Sequence, residues 1–275
     1  MIANSALAKS VPTRPARRPR RKAMPGPLVM TTLQAGLLLV LLAAWYVLVS
    51  TKVFPEFFFG NPVQVFEQIF TWFATGEIFI HLATTLIETL LAFVIGVLSG
   101  IGAGLWLGLS PLTAALLDPY IKALNAMPRV ILGPIFIVWF GLGIGSKVAL
   151  GVTLVFFVVF FNVFQGVREV NPVILANARM LGANRRQLLS TVYIPSALSW
   201  VFSSLHMSVG MAFVGAVVGE YLGSARGVGY LILQAEATFD VNAVFAGIIV
   251  LTAFALVLDF AVTVIEKRLI VGKPK

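Results

Sequence analysis

Six stretches of this chain are too long and too apolar for a soluble core to bury, and they constrain the fold more than any other feature. Residues 32–50, 82–109, 148–167, 197–222 and 244–265 carry almost no charge. A helix needs about 20 such residues to cross roughly 30 Å of hydrocarbon. Backbone polar groups in lipid must be satisfied within their own segment, which selects helices over open strands. The remaining stretch, residues 112–140, is interrupted by Asp118, Lys122, Arg129 and three prolines. Its clean apolar piece, 130–140, is too short to cross alone, so that span has to borrow the preceding turns. Composition agrees: 59% of residues are hydrophobic and 11% charged, against about 45–50% and 25% in soluble domains. The expected fold class is therefore all-α integral membrane, with six transmembrane helices.

The formal charge of +9 is unevenly placed. Lys9, Arg14, Arg17, Arg18, Arg20, Arg21 and Lys22 crowd the start of the chain without an acidic companion. A DNA-binding arm is one reading of such a run. No nucleic-acid motif follows it, and a basic tail ahead of an apolar span fixes orientation and touches anionic lipid. The expected organisation is a disordered basic tail over 1–30, a membrane domain over 31–270 and a short second tail over 271–275. The first span lacks a small-residue cleavage site, so the start does not read as a removed signal peptide. With the tail inside and six spans, Arg168, Arg179, Arg185, Arg186, Lys267, Arg268, Lys273 and Lys275 also fall inside, leaving Lys52, Lys147 and Arg226 outside. That asymmetry is the positive-inside bias. It places both termini in the cytoplasm.

Ionisable groups inside the spans are default functional candidates because of their cost in hydrocarbon. Glu88 reads as facing an outside loop, Asp118 as a helix cap, and Glu220 as an acid at the outer end of the fifth span. Asp259 lies deep enough to need a partner, with Lys122 or Arg129 the expected one. Glycines recur every four residues at Gly96, Gly100, Gly104 and Gly108, and again at Gly215, Gly219 and Gly223. Such stripes let helix backbones approach closely; a dimer seam or a path-lining face is the alternative use. The chain has no cysteine, only His81 and His206 as histidines, and no His-Glu-x-x-His pattern. A metal-dependent or thiol hydrolase is therefore excluded. There is no phosphate-binding loop either: the one Gly-Lys pair, Gly272-Lys273, is followed by proline.

The loop between the fourth and fifth runs, residues 171–195, carries the most specific signal. Asn171-Pro172 is a helix start, with a capping side chain and proline at the first helical position. Ile174, Ala178 and Leu181 form a one-sided apolar stripe, Gly182 ends that helix, and Asn184 caps a second short one bearing Arg185 and Arg186. Two amphipathic helices at a bend suit either a groove on a soluble partner or the lipid headgroups.

This loop resembles the coupling motif of ABC importer permeases: Glu-Ala-Ala, three residues, Gly, nine residues, Ile, any residue, Leu-Pro. Here the positions are Ala176-Asn177-Ala178, then Gly182, then Val192 and Ile194-Pro195. The spacing is complete, with Ala176 in place of glutamate and Asn177 in place of alanine. Further similar blocks are Leu117-Asp118-Pro119, Ala126-Met127-Pro128, Trp139-Phe140-Gly141-Leu142-Gly143 and Gly219-Glu220-Tyr221-Leu222-Gly223. The chain is thereby identified as similar to the nitrate/sulfonate/taurine-type permeases over roughly residues 45–270.

The resemblance implies a type I importer permease fold in the bacterial inner membrane, working by alternating access. Implied partners are a second copy or a paralogous permease, two cytoplasmic ATP-binding subunits, and an external solute-binding protein. No cofactor is expected on this chain; ATP and Mg belong to the ATPase, and the chain itself is not an enzyme. Ala176, Asn177, Ala178, Arg179, Leu181, Gly182, Arg185, Arg186 and Pro195 are the coupling residues the resemblance suggests. His206, Gly215, Gly219, Glu220, Met127 and Arg129 are candidates for the translocation path, and a small organic anion is the expected solute. A secondary transporter or channel working without an ATPase is the competing reading. It would have no reason to keep the Gly182–Pro195 spacing.

Overall fold

The apolar runs fold as helices, and in the computed structural model, which describes residues 26–271, no strand accompanies them. The helices are α1 (Pro27–Ser50), α2 (Glu56–Phe59), α3 (Pro62–Thr75), α4 (Glu77–Gly108), α5 (Pro111–Ala126), α6 (Gly133–Phe140), α7 (Ile144–Arg168), α8 (Pro172–Met180), α9 (Arg185–Leu188), α10 (Ile194–Leu222), α11 (Val228–Ala237) and α12 (Val241–Val271). The expected basic tail over 1–30 and the tail over 271–275 lie largely outside the described residues. α1 already begins at Pro27, inside the stretch assigned to the first tail. The chain divides into one unit up to Trp45 and a second from Tyr46 onward. In the first, α1 is apolar on all sides, as a spanning helix is.

Glycine spacing determines how the second unit packs. A Cβ on Gly96, Gly100, Gly104 or Gly108 of α4 would meet Val155, Val159, Val163 or Val167 of α7 at 2.6, 2.9, 2.7 and 2.7 Å. Partner numbers rise together, so α4 and α7 run parallel. α7 also meets α10: Gly215 abuts Gly151, Gly219 abuts Lys147, and Gly166 abuts Trp200 of α10. Here one number rises as the other falls, so α10 runs antiparallel. Three long helices thus meet closely, with glycine on one side of each contact, the packing that substitutes in lipid for a hydrophobic drive. Both glycine stripes are used within the subunit.

Parallel neighbours impose a return crossing. α4 ends at Gly108 and α7 begins again at the opposite end, so residues 109–143 have to recross the bundle. They do so as α5 and the segment Arg129–Phe140, bent by 86° at Met127-Pro128. Proline supplies no N–H there and disfavours helical backbone in the residue before it, which explains the break. Ala114, Leu117 and Ile121 of α5 pack on Leu107 and Phe160. Asp118, expected as a cap, sits inside α5 instead and pairs with Lys122 at 2.6 Å on the exposed face. Counting the bent pair as one, the described helices offer six candidate spans.

The segment between α1 and α4 contains the amphipathic α3. Val65 and Trp72 are buried, while Phe66, Phe70 and Phe73 are exposed. Asn61 caps α3 by accepting from the Val63 N–H, and its own N–H donates to Asn242 Oδ1 at 2.7 Å. This joins α3 to the start of α12.

Candidate functional site

The 171–195 loop folds as its sequence signals require. Asn171 Oδ1 accepts from the Val173 N–H at 2.8 Å, with Pro172 opening α8. Gly182 terminates α8 at φ +81°, a left-handed conformation that suits glycine. Asn184 and Gln187 exchange side-chain and backbone hydrogen bonds at 2.9 and 2.8 Å, a capping box for α9. A π turn, Leu189–Tyr193, leads into α10, with Pro195 in its first turn. Leu188 is buried and anchors the loop. Ala178 is half-buried, whereas Ala176 and Asn177 are exposed. Val173 and Ile174 are also exposed, and Met180 and Leu181 reach 85% and 89% exposure. An isolated helix has no stabilising reason to present so much apolar surface.

Behind that tip is a cavity of about 480 Å³ lined by Arg179, Arg185, Arg186, Trp106, Ser110 and Tyr193 over a floor of Leu109, Leu188 and Leu189. Among the described residues none of these three arginines forms a salt bridge.

The candidate path residues separate into two groups. Gly215, Gly219 and Glu220 lie inside the subunit: the glycines abut α7 and Glu220 is fully buried. His206 lies on an open face. Its Nε2 is 2.7 Å from Asp259 Oδ1 and its Nδ1 is 3.7 Å from Glu266 Oε2. His206 and Asp259 border a cavity of about 300 Å³ with Gly210, Phe213 and Thr252. Asp259 is thus partnered by His206 and not by Lys122 or Arg129 as expected. Met127 is at the elbow of the bent span, and Arg129 follows it. The Arg129 guanidinium bonds Asn125 and lies 4.6 Å from the centre of the Phe157 ring.

A second polar constellation lies at the opposite end of the bundle. Glu220 Oε1 accepts from Thr85 Oγ1 at 2.6 Å and Oε2 accepts from the Gly229 N–H at 2.8 Å. The Val228 N–H donates to Thr85 Oγ1, and His81 Nδ1 lies 3.1 Å from both N and O of Gly227. The Glu88 carboxyl faces that of Glu220, and Lys147 acts on both. Lys147 is fully buried and donates to the carbonyls of Leu142 and Gly143 at 2.6 and 3.1 Å. Glu88, expected to face an outside loop, is 1% exposed, and its Oε2 has no hydrogen-bond partner among the described residues. Lys147 was read as an outside-loop charge and missed. The signal was Gly219, whose missing side chain leaves the space that Lys147 fills. Among the described residues no group of histidine and carboxylate side chains has the arrangement to hold a metal.

The family model described as binding-protein-dependent transport system inner membrane component matches residues 96–271. An aliphatic sulfonates transport permease protein of Bacillus subtilis is 34% identical, with 86% of each chain covered. The taurine transport system permease protein of Escherichia coli is 32% identical, covering 86% of this chain and 88% of that one. Among solved structures, an amino acid ABC transporter superposes with TM-score 0.59 at 20% identity, covering 73% of this chain and 96% of that one. The MetNI methionine ABC transporter superposes with TM-score 0.53 at 18% identity, covering 67% and 94%.

Proposed function

We propose a working scheme for a chain that belongs to the binding-protein-dependent transport system inner membrane components: it is the permease subunit of an ABC importer, a multi-pass membrane protein of type I importer fold. In this scheme the loop end faces the cytoplasm, two copies or a copy and a paralogue form the path, and separate subunits hydrolyse ATP with Mg. The exposed apolar tip of α8 carries the proposal. Val173, Ile174, Met180 and Leu181 stand clear of their own chain, as anchors for a groove on an ATPase do. Gly182 lets the chain turn back directly behind that tip, and Ala176, Asn177, Ala178 and Pro195 set its height and direction. An external binding protein delivers the solute. The relatives' names point to a small organic anion of the sulfonate or taurine type.

The open face of α10 and α12 supports the path. A histidine and two carboxylates in spanning helices, left uncovered by their own chain, require water or a second subunit opposite them. His206, with Met127 and Arg129 at the elbow, is accordingly assigned to the path; Gly215, Gly219 and Glu220 serve the packing behind it. Transport without an ATPase is not the reading that these relatives favour.

Gly182→Val is the test. No atom lies within 4 Å of a Cβ there, so the change acts through the left-handed backbone alone and reorients the tip. The expected result is ATP hydrolysis uncoupled from uptake in proteoliposomes, with Gly182→Asn far milder because asparagine tolerates that backbone. Normal coupled uptake by Gly182→Val would remove the ATPase-docking role from this loop.

A further inference from the structure

The three arginines behind the α8 tip do not share its exposed apolar surface. They converge instead on the cavity of about 480 Å³ against the last turn of α4. Trp106 there is mostly exposed, two residues before α4 ends, and Tyr193 begins the return into α10. An exposed tryptophan at the end of an apolar span marks headgroup depth. Three guanidiniums with no carboxylate partner among the described residues repel one another, and a ligand that neutralises them is favoured. Guanidinium forks match the paired oxygens of a phosphate. The apolar floor, Leu109, Leu188 and Leu189, adjoins the end of α4 and suits an acyl chain rather than a hydrated ion.

We propose that this cavity is a binding site for the phosphate headgroup of an anionic phospholipid of the cytoplasmic leaflet, held by Arg179, Arg185 and Arg186 with its glycerol end against Trp106 and Tyr193. The lipid then braces the base of the coupling knob, while the Met180–Leu181 tip stays free to dock. The proposal rests on the reading that the loop end is cytoplasmic. That reading has its own test in side-specific labelling of an introduced cysteine, so the two fail separately.

The experiment uses the full-length chain purified with its co-expressed ATPase in a neutral detergent. Phosphatidylglycerol, phosphatidylcholine, inorganic phosphate and ethanesulfonate are added in separate arms, with bound lipid read by native mass spectrometry and melting temperature read in parallel. Phosphatidylglycerol should be retained and raise the melting temperature, and the other three should not. Each arginine near anionic lipid contributes about 1 kcal/mol, so the double variant Arg185→Gln with Arg186→Gln should bind phosphatidylglycerol roughly 30-fold more weakly. Trp106→Ala, which leaves the charge intact, should weaken it as well. Equal retention of phosphatidylcholine would overturn the proposal. So would stabilisation by phosphate or ethanesulfonate to the same degree, which would make the cavity a site for free oxyanions. If the double variant sheds the ATPase but keeps its lipid, the arginines belong to the protein interface instead. The wild-type comparison of the two lipids decides the matter even where a variant does not fold.

Discussion

Replacing Lys147 with methionine preserves side-chain length while removing the one cation among the described residues that acts on both Glu88 and Glu220. Lys147→Met leaves the Leu142 and Gly143 carbonyls without this donor, at about 1–3 kcal/mol for each group left unsatisfied in a buried site, so it should lower the melting temperature sharply. An unchanged melting temperature for Lys147→Met would mean that water reaches the cluster. Gly227 is the second sensitive residue. A Cβ there would fall 2.1 Å from the Glu220 carboxyl carbon, at φ +110°. Gly227→Ala should therefore detach the turn from Thr85 and Glu220, visible as faster proteolysis of the loop before α11. The first of these did not announce itself in the sequence. Lys147 stands at the start of an apolar run and was counted with the loops, since a charge at a span end is ordinarily solvated. Only the partner helix, with glycine at 219, shows that it is enclosed.

The α4–α7 seam permits a paired prediction among helices. Gly104→Leu drives a side chain into Val163 and the Phe160 carbonyl; overpacking of this kind costs about 1–3 kcal/mol or more. Gly102 lies on the same helix with no atom within 4 Å of a Cβ, so Gly102→Ala should be neutral or stabilising by up to roughly 1 kcal/mol. Equal effects from both, measured as thermal stability in detergent, would place the seam elsewhere. In the loop, Asn184→Ala removes one half of the capping box and should cost about 1 kcal/mol, read as lower protection of the α9 amides from hydrogen exchange. At this scale much was legible in advance. The four-residue glycine period, the Asn171-Pro172 start and the Gly182 stop are local chemistry, and each appears where the residues place it. The bent third span was legible only as an anomaly. Its prolines gave the break at Met127-Pro128, but the 86° angle between the two pieces has no local signature. His206 and Asp259 are likewise 53 residues apart, and nothing in either run marks the other as its partner.

For the molecule as a whole, the absence of native cysteine makes orientation directly testable. Leu181→Cys and Phe58→Cys are both at well-exposed positions. In right-side-out vesicles an impermeant maleimide should label Phe58→Cys and spare Leu181→Cys, with the order reversed in inverted vesicles. Labelling of both from one side would remove the odd number of crossings between them.

The glycine contacts between α4, α7 and α10 also have a mechanical meaning. Helices that interlock glycine against side chain along their length, with buried polar groups at one end, have little freedom to slide or splay. In the proposed scheme, force applied at the α8 tip is therefore passed on as rotation of α4, α7 and α10 together. α10 has 29 residues and is about 43 Å long. A tilt that shifts its knob end by a few ångströms therefore displaces the far end by a comparable distance in the opposite sense about a central pivot. In that scheme the subunit acts as a stiff lever, with its hinge at the joint to a neighbouring subunit.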